Sequence, residues 1–196
     1  MIWFVIIYES TILVDEIISK MLKWIVAMDQ DRVIWKDGKM PWHEPEDLKR
    51  FKQLTQWQIC LMWRKTYEWL KQYRPDAEWY PHASKNLIFS RSMPETPWVE
   101  VIHNIKELQE KYGNEIVRVL WWAKTFEILM PYIDEIYFTL VPGKHEWDTY
   151  MPETDLGYVE YQWKTKSWLE FIKYTRAKDA ESRKIISWYK NKSNSK

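Results

Sequence analysis

Short apolar runs alternate with amphipathic stretches along most of this chain, and that alternation restricts the fold more than any other feature. Runs at 22–28, 58–62, 86–90, 99–102, 116–120 and 133–141 are apolar and predict strands. Stretches with apolar residues at helical spacing occur at 45–55, 65–72, 105–112 and 123–130. Parallel strands need crossover connections, and helices commonly supply them. The expected class is α/β, a mostly parallel central sheet with helices covering both faces. Two later segments, 158–163 and 167–174, alternate apolar with polar residues and predict an antiparallel hairpin at the sheet edge. The polar stretch 71–84 contains Pro75 and Pro81 and reads as a surface insertion.

Length and charge narrow the function. A chain of 196 residues is large enough for one domain with a full core. Its net charge of +1 provides no broad basic field, so nucleic acid is not an expected partner. Cys60 is the single cysteine, so no internal disulfide can form. It lies in an apolar run and reads as a small buried hydrophobe; a reducing cytoplasm fits. The histidines, His43, His82, His103 and His145, lack metal-ligand spacing, and no metal is expected. Residues 3–8 are apolar, but Glu9, Asp15 and Glu16 soon interrupt the run. It is too short to span a bilayer and lacks a basic start, so neither a membrane helix nor a signal peptide is expected. The lysine-rich tail at 179–196 is expected to fray in solvent.

One segment carries an acid that a core would not tolerate without a partner. Pro45 suits the first turn of a helix, where its missing N–H costs nothing. Glu44, Glu46 and Asp47 place negative charge at that helix's positive end. Leu48, Phe51 and Leu54 form the expected inward stripe. Asp47 lies four residues before Phe51 and seven before Leu54, so it shares their side. A carboxylate facing a core requires a partner. The competing reading is that Asp47 merely starts the helix.

The chain resembles the dihydrofolate reductase family. The resemblance runs through Ile25-Val26-Ala27-Met28, Asp31-Arg32-Val33-Ile34, Met40-Pro41-Trp42, Asp47-Leu48, Phe51-Lys52 and Leu61-Met62-x-Arg64-Lys65-Thr66-Tyr67-Glu68. It continues through Lys85-Asn86-Leu87-Ile88-Phe89-Ser90-Arg91, Val119-Leu120, Ala123-Lys124-Thr125-Phe126-Glu127, Ile136-Tyr137-Phe138-Thr139 and Asp148-Thr149, and closes on Trp168-Leu169-Glu170-Phe171. The family-like domain is residues 21–178. Met21 stands where such chains begin, so residues 1–20 read as a start-site artefact. The resemblance implies reduction of dihydrofolate by NADPH, in a monomer. Asp47 would bind the pterin and favour its protonation, and Thr139 would hydrogen-bond to that acid. Met40 and Trp42 would belong to a lid over the nicotinamide. Ala27, Leu48, Phe51 and Lys52 would contact substrate. Arg64, Lys65 and Thr66 would hold cofactor phosphates. Ser90 and Arg91 would lie near the adenosine 2′-phosphate, and Trp121, Trp122, Lys124 and Thr125 would complete the cofactor site.

Two departures stand out. The family has arginine just before the Lys-Asn pair, gripping the substrate carboxylate. Here that residue is Ser84, whose hydroxyl cannot replace a bidentate charged fork; Lys52 or Arg74 would have to compensate. The chain also has 15 Trp and only 4 Gly. Trp35, Trp63, Trp121, Trp122 and Trp147 stand where the family has glycine, and Trp57, Trp69, Trp79 and Trp98 fall at turn-like points. Trp42 matches a family tryptophan. Indoles at 121 and 122 would fill space meant for phosphate. The expected explanation is a coding sequence that uses UGA for glycine, written here as tryptophan. The alternative is a divergent, catalytically inactive member that survives as a binding protein. A pyrimidine reductase of riboflavin synthesis shares the fold, but Asp47 after Met-Pro-Trp argues against it.

Overall fold

The computed structural model describes residues 22–35, 42–73, 82–120, 128–145, 149–151 and 158–175. The strands are β1 (Leu22–Met28), β2 (Val33–Trp35), β3 (Ile59–Trp63), β4 (Lys85–Phe89), β5 (Glu100–Ile102), β6 (Val117–Leu120), β7 (Ile133–Leu140), β8 (Thr149–Tyr150), β9 (Tyr158–Lys164) and β10 (Glu170–Thr175). The helices are α1 (Pro45–Thr55), α2 (Arg64–Tyr73) and α3 (Ile105–Tyr112), with a 3-10 turn at Met130–Tyr132. The chain divides into two compact units, Met1–Ile25 with Leu48–Asp134 and Val26–Asp47 with Glu135–Lys196.

In the first unit the strand order is β5-β4-β3-β6-β1, and every neighbouring pair is parallel. The reason lies in the strand sequences. Cys60, Leu61 and Met62 are consecutive and fully buried, and Leu87, Ile88 and Phe89 are buried likewise. Successive strand residues point to opposite faces. Both faces of this sheet are therefore covered, which is the environment parallel strands require. Burying one such side chain contributes roughly 1.5–3 kcal/mol. An exposed helix pair such as Lys106–Glu110, 3.7 Å apart, adds only about 0.3–0.5 kcal/mol. The buried strands dominate. Cys60 behaves as expected of a small hydrophobe, and burial pushes its thiol up to about 12.

In the second unit β10 pairs antiparallel with both β7 and β9. The expected closing hairpin is present, although its second strand begins at Glu170 rather than 167. The end of β1 joins this unit, where Val141 N–H donates to the Met28 carbonyl at 2.8 Å. A small antiparallel pair, β2 with β8, was not expected. Its strands have three and two residues, too few to show a period.

Helix boundaries follow local chemistry. Asn104 caps α3 by accepting the Glu107 N–H at 2.9 Å, and Glu107 accepts the His103 N–H at 2.8 Å in return. Helix α2 continues through Tyr73, into the stretch read as insertion; residues 74–81 of that stretch lie outside the described ones. Residues 123–127 of the fourth expected helix also lie outside them. Its visible end tightens into the 3-10 turn at Pro131.

A polar knot ties α3 to the sheet. Tyr112 Oη donates to Glu100 at 2.5 Å, while Lys111 and Lys85 approach Glu100 at 3.0 and 3.6 Å. Burial works to raise the Glu100 carboxyl. The bonds from Tyr112 and Lys111 and the two lysine charges outweigh it and hold the group below its ordinary 4.5. A depressed folded pKa adds stability above the unfolded value, and that stability is lost as pH falls through the folded value. Thermal melts across a pH series should therefore show the chain more stable than Glu100→Gln at neutral pH. The gap should close as pH drops below about 4.5. A gap independent of pH would show that the carboxylate charge is not what holds the knot.

Candidate active site

The first unit gathers strand ends. In register, Met62 pairs with Leu120, Trp63 with Phe89, and Phe89 with Ile102. The carboxyl ends of β3, β4, β5 and β6 therefore lie level. Ligands of open α/β sheets bind beyond such ends. Helix α2 starts there directly, with Arg64, Lys65 and Thr66 as its first three residues. A helix N-terminus presents the positive end of its dipole, which favours an anion. Lys65 is exposed and Thr66 is buried. The Arg64 guanidinium, 41% exposed, pairs with Glu68 one turn on at 3.3 Å. Ser90 follows β4 and is buried. Its Oγ accepts the Met93 N–H at 3.1 Å, and its carbonyl meets His103 Nδ1 at 2.8 Å. Arg91 beside it is exposed. His103 was not among the sequence candidates; its position just past β5 is the signal that could have found it. Trp121, Trp122, Lys124 and Thr125 lie outside the described residues.

The second unit brings together another expected group. Trp42 is 9% exposed and packs in a cluster with Val141, Leu169 and Phe171, with Ala27 against it. Thr139 is buried on β7 and sits opposite Phe171 in the β7–β10 register. Asp47 is half-buried in the first turn of α1. The head of this helix is tied down by the Ser167 hydroxyl, which donates to Glu46. Met40 lies outside the described residues.

Along α1 the expected stripe needs one correction. Phe51 and Leu54 are half-buried with Asp47, but Leu48 is 37% exposed, and the fully buried residues are Arg50 and Thr55. At about 100° per residue, Leu48 falls a quarter turn from Asp47, on the margin of the stripe, while Arg50 falls inside it. Thr55 is polar yet buried because its Oγ1 donates back to the Phe51 carbonyl at 2.7 Å. Lys52 is exposed. Ser84 is exposed at the amino end of β4, and its N–H donates to the Gln58 carbonyl at 3.0 Å.

Sequence reading missed Asp29 altogether. Its carboxylate is fully buried and collects N–H groups from Asp31, Val33 and His145, each at 2.9 Å. The polar run Asp29-Gln30-Asp31-Arg32 suggests only a turn. Nothing in it points to a partner 116 residues away.

Level parallel strand ends with a basic helix start, and a half-buried acid in the same unit as a buried Trp and Thr, define an α/β enzyme. The comparisons with known proteins agree. A dihydrofolate reductase family profile matches residues 21–181. The dihydrofolate reductase of Bacillus subtilis (strain 168) is 33% identical over 150 residues, covering 75% of this chain and 82% of that protein. Dihydrofolate reductase HdrB of Haloferax volcanii is 30% identical over 164 residues, covering 80% and 84%. The solved structure of dihydrofolate reductase from Enterococcus faecalis, complexed with NADP(H) and RAB-propyl, matches with a TM-score of 0.65 at 27% identity. The match covers 82% of this chain and 98% of that one. This chain belongs to the dihydrofolate reductase family, and it is an oxidoreductase. Among the described residues no helix is long and apolar enough to cross a membrane, and no group of His, Cys, Asp and Glu could hold a metal ion.

Proposed function

We propose that this chain reduces 7,8-dihydrofolate to 5,6,7,8-tetrahydrofolate with NADPH. The observation that carries the reading is Asp47, a half-buried carboxylate on the inward stripe of α1, in one unit with Trp42 and Thr139. The Enterococcus faecalis relative complexed with NADP(H) supports the cofactor.

The residues present fit such ligands. Arg64, Lys65 and Thr66 combine permanent positive charge with a helix N-terminus, which suits phosphate. Ser90 and Arg91 extend the polar surface past the next strand end. The Trp42 indole N–H is buried and has no hydrogen-bond partner among the described residues. A buried donor of that kind suits a bound molecule with an acceptor. When bound, the reduced nicotinamide supplies the hydride.

The protein's share is alignment, charge and exclusion of water. Asp47 accepts N–H groups of the pterin and fixes the ring's orientation. Its negative charge favours a proton on the ring nitrogen beside the carbon that receives hydride. Thr139 bonds to that acid and holds its rotamer. Ala27 offers apolar surface to the ring. Trp42, packed against Ala27, keeps water away from the reacting face.

Replacing Asp47 with Asn keeps shape and removes charge. Absorbance loss of NADPH with dihydrofolate should show turnover reduced by about 10²-fold or more. NADPH affinity, measured by titration, should stay within about twofold, because the residues assigned to the cofactor are elsewhere. Equal loss of both on folded protein would remove Asp47 from the chemistry.

A further inference from the structure

Four described residues other than glycine have a left-handed backbone: Arg32 at φ 64°, Trp57 at 60°, Trp98 at 73° and Trp168 at 68°. Three of the four are tryptophan. Bulky side chains resist this region, and glycine enters it freely. Each of the three sits at a position that turn chemistry reserves for glycine. Trp57 stands two residues past the end of α1, where Gln56 N–H still donates to the Lys52 carbonyl at 2.8 Å. That is the site where helices commonly end on a left-handed glycine. Trp98 follows Pro97 in the two-residue turn closed by the Thr96–Val99 bridge. Proline followed by a positive-φ residue is the type II turn, whose third residue is glycine. Trp168 ends the loop between β9 and β10. There Trp168 N–H donates to the Thr165 carbonyl at 3.1 Å, and Thr165 N–H to the Leu169 carbonyl at 2.9 Å. This is the three-residue hairpin with a left-handed last residue.

The side chains give nothing back for this backbone. The indoles of Trp57, Trp98 and Trp168 are 74%, 72% and 68% exposed. Trp168 has a solvent-exposed contact with the Lys164 ammonium, 4.8 Å from the ring. Trp24 and Trp42 are the opposite case: both are buried in packed surroundings, and neither has a positive φ. The chain therefore holds two kinds of tryptophan. We propose that the polypeptide made in the cell carries glycine at 57, 98 and 168, specified by UGA codons, and true tryptophan at 24 and 42. One codon with two readings also explains 15 Trp beside 4 Gly. Glycine in these turns leaves the cofactor and substrate residues unchanged.

Tandem mass spectrometry of the protein isolated from its own cells decides the matter. Glycine at 57, 98 and 168 with tryptophan at 24 and 42 is the expected result, together with UGA at the first three codons and UGG at the other two. Tryptophan in the three turn peptides, or UGG there, overturns it. Recombinant chains supply an independent arm. Changing Trp57, Trp98 and Trp168 together to Gly should give a higher melting temperature than changing all three to Ala. An alanine chain that melts as high would show that these turns do not demand glycine.

Asp29 and His145 act on a different part of the molecule. The fully buried Asp29 carboxylate holds both the backbone N–H of His145 and its ring Nδ1, at 2.9 and 3.1 Å. The two contacts hold His145 by its backbone and by its ring, and so set the ring's orientation. That ring stands edge-on to Trp42, with centroids 5.5 Å apart and planes at 60°. The flanking charges, Lys144 and Asp31, pair with each other at 3.2 Å. We infer that Asp29 and His145 are positioning residues for Trp42, a role that rests on the proposed reductase reading.

Two variants separate the parts of the device: His145→Asn keeps a donor for Asp29 without the ring, and His145→Phe keeps a ring without the donor. Both should cut single-turnover hydride transfer by about tenfold while the substrate KM and NADPH affinity hold. In both, the Trp42 indole N–H resonance, assigned with Trp42→Phe, should shift. Unchanged transfer and an unmoved resonance in the folded variants overturn the assignment. If the parent chain lacks activity, the reductase reading fails instead, and the resonance alone decides the positioning role.

Discussion

Parallel pairing is the constraint on which the first unit depends. A parallel neighbour cannot follow through a tight turn, so the chain must travel back along the sheet before it re-enters. Each return starts from a strand's carboxyl end and places a fresh helix N-terminus, or a polar turn, at that edge. The level ends of β3, β4, β5 and β6 are the direct result. Arg64, Ser90 and His103 share one edge because they each follow a strand of the same sheet, although their sequence neighbourhoods are unrelated. The consecutive buried residues of β3 and β4 supply the energy that keeps this register.

The second unit solves a different problem, holding an acid and an indole near apolar surface. Antiparallel strands β7, β9 and β10 bring Val141, Leu169 and Phe171 around Trp42. Polar ties at the margins fix the pieces: Ser167 to Glu46 at the head of α1, and Asp29 to the segment before β8. The ties are single hydrogen bonds or small groups of them, so their contribution is modest next to burial. Their value is direction, because each fixes one side chain in one orientation.

Much of this was legible from the chain itself. Helix α1 starts at Pro45 and ends at Thr55, as proline and the acidic first turn indicate. Strand β1 and helix α3 also match their expected bounds, because apolar runs and an Asn104 cap are local signals. Legibility fails where structure depends on distant partners. Strands β2 and β8 are too short for a pattern and exist only by pairing with each other. Leu48 turns outward although spacing puts it with the stripe, because spacing places a residue's angle only to within a side chain's width. Asp29 looked like an ordinary turn acid, since its partners come from the far end of the chain. The family resemblance offers Asp47 and Arg64 as site residues, while others that it offers, such as Met40, Trp121 and Trp122, stand outside the described part.

The solitary thiol of Cys60 has a further use. It is buried in β3, donates weakly to the Thr55 carbonyl at 3.8 Å, and is a poor nucleophile at ordinary pH because burial disfavours its thiolate. A thiol-specific dye can reach it only when the structure around it opens. The protein thus contains a built-in clock for its own opening, with one tick per molecule and no engineered label.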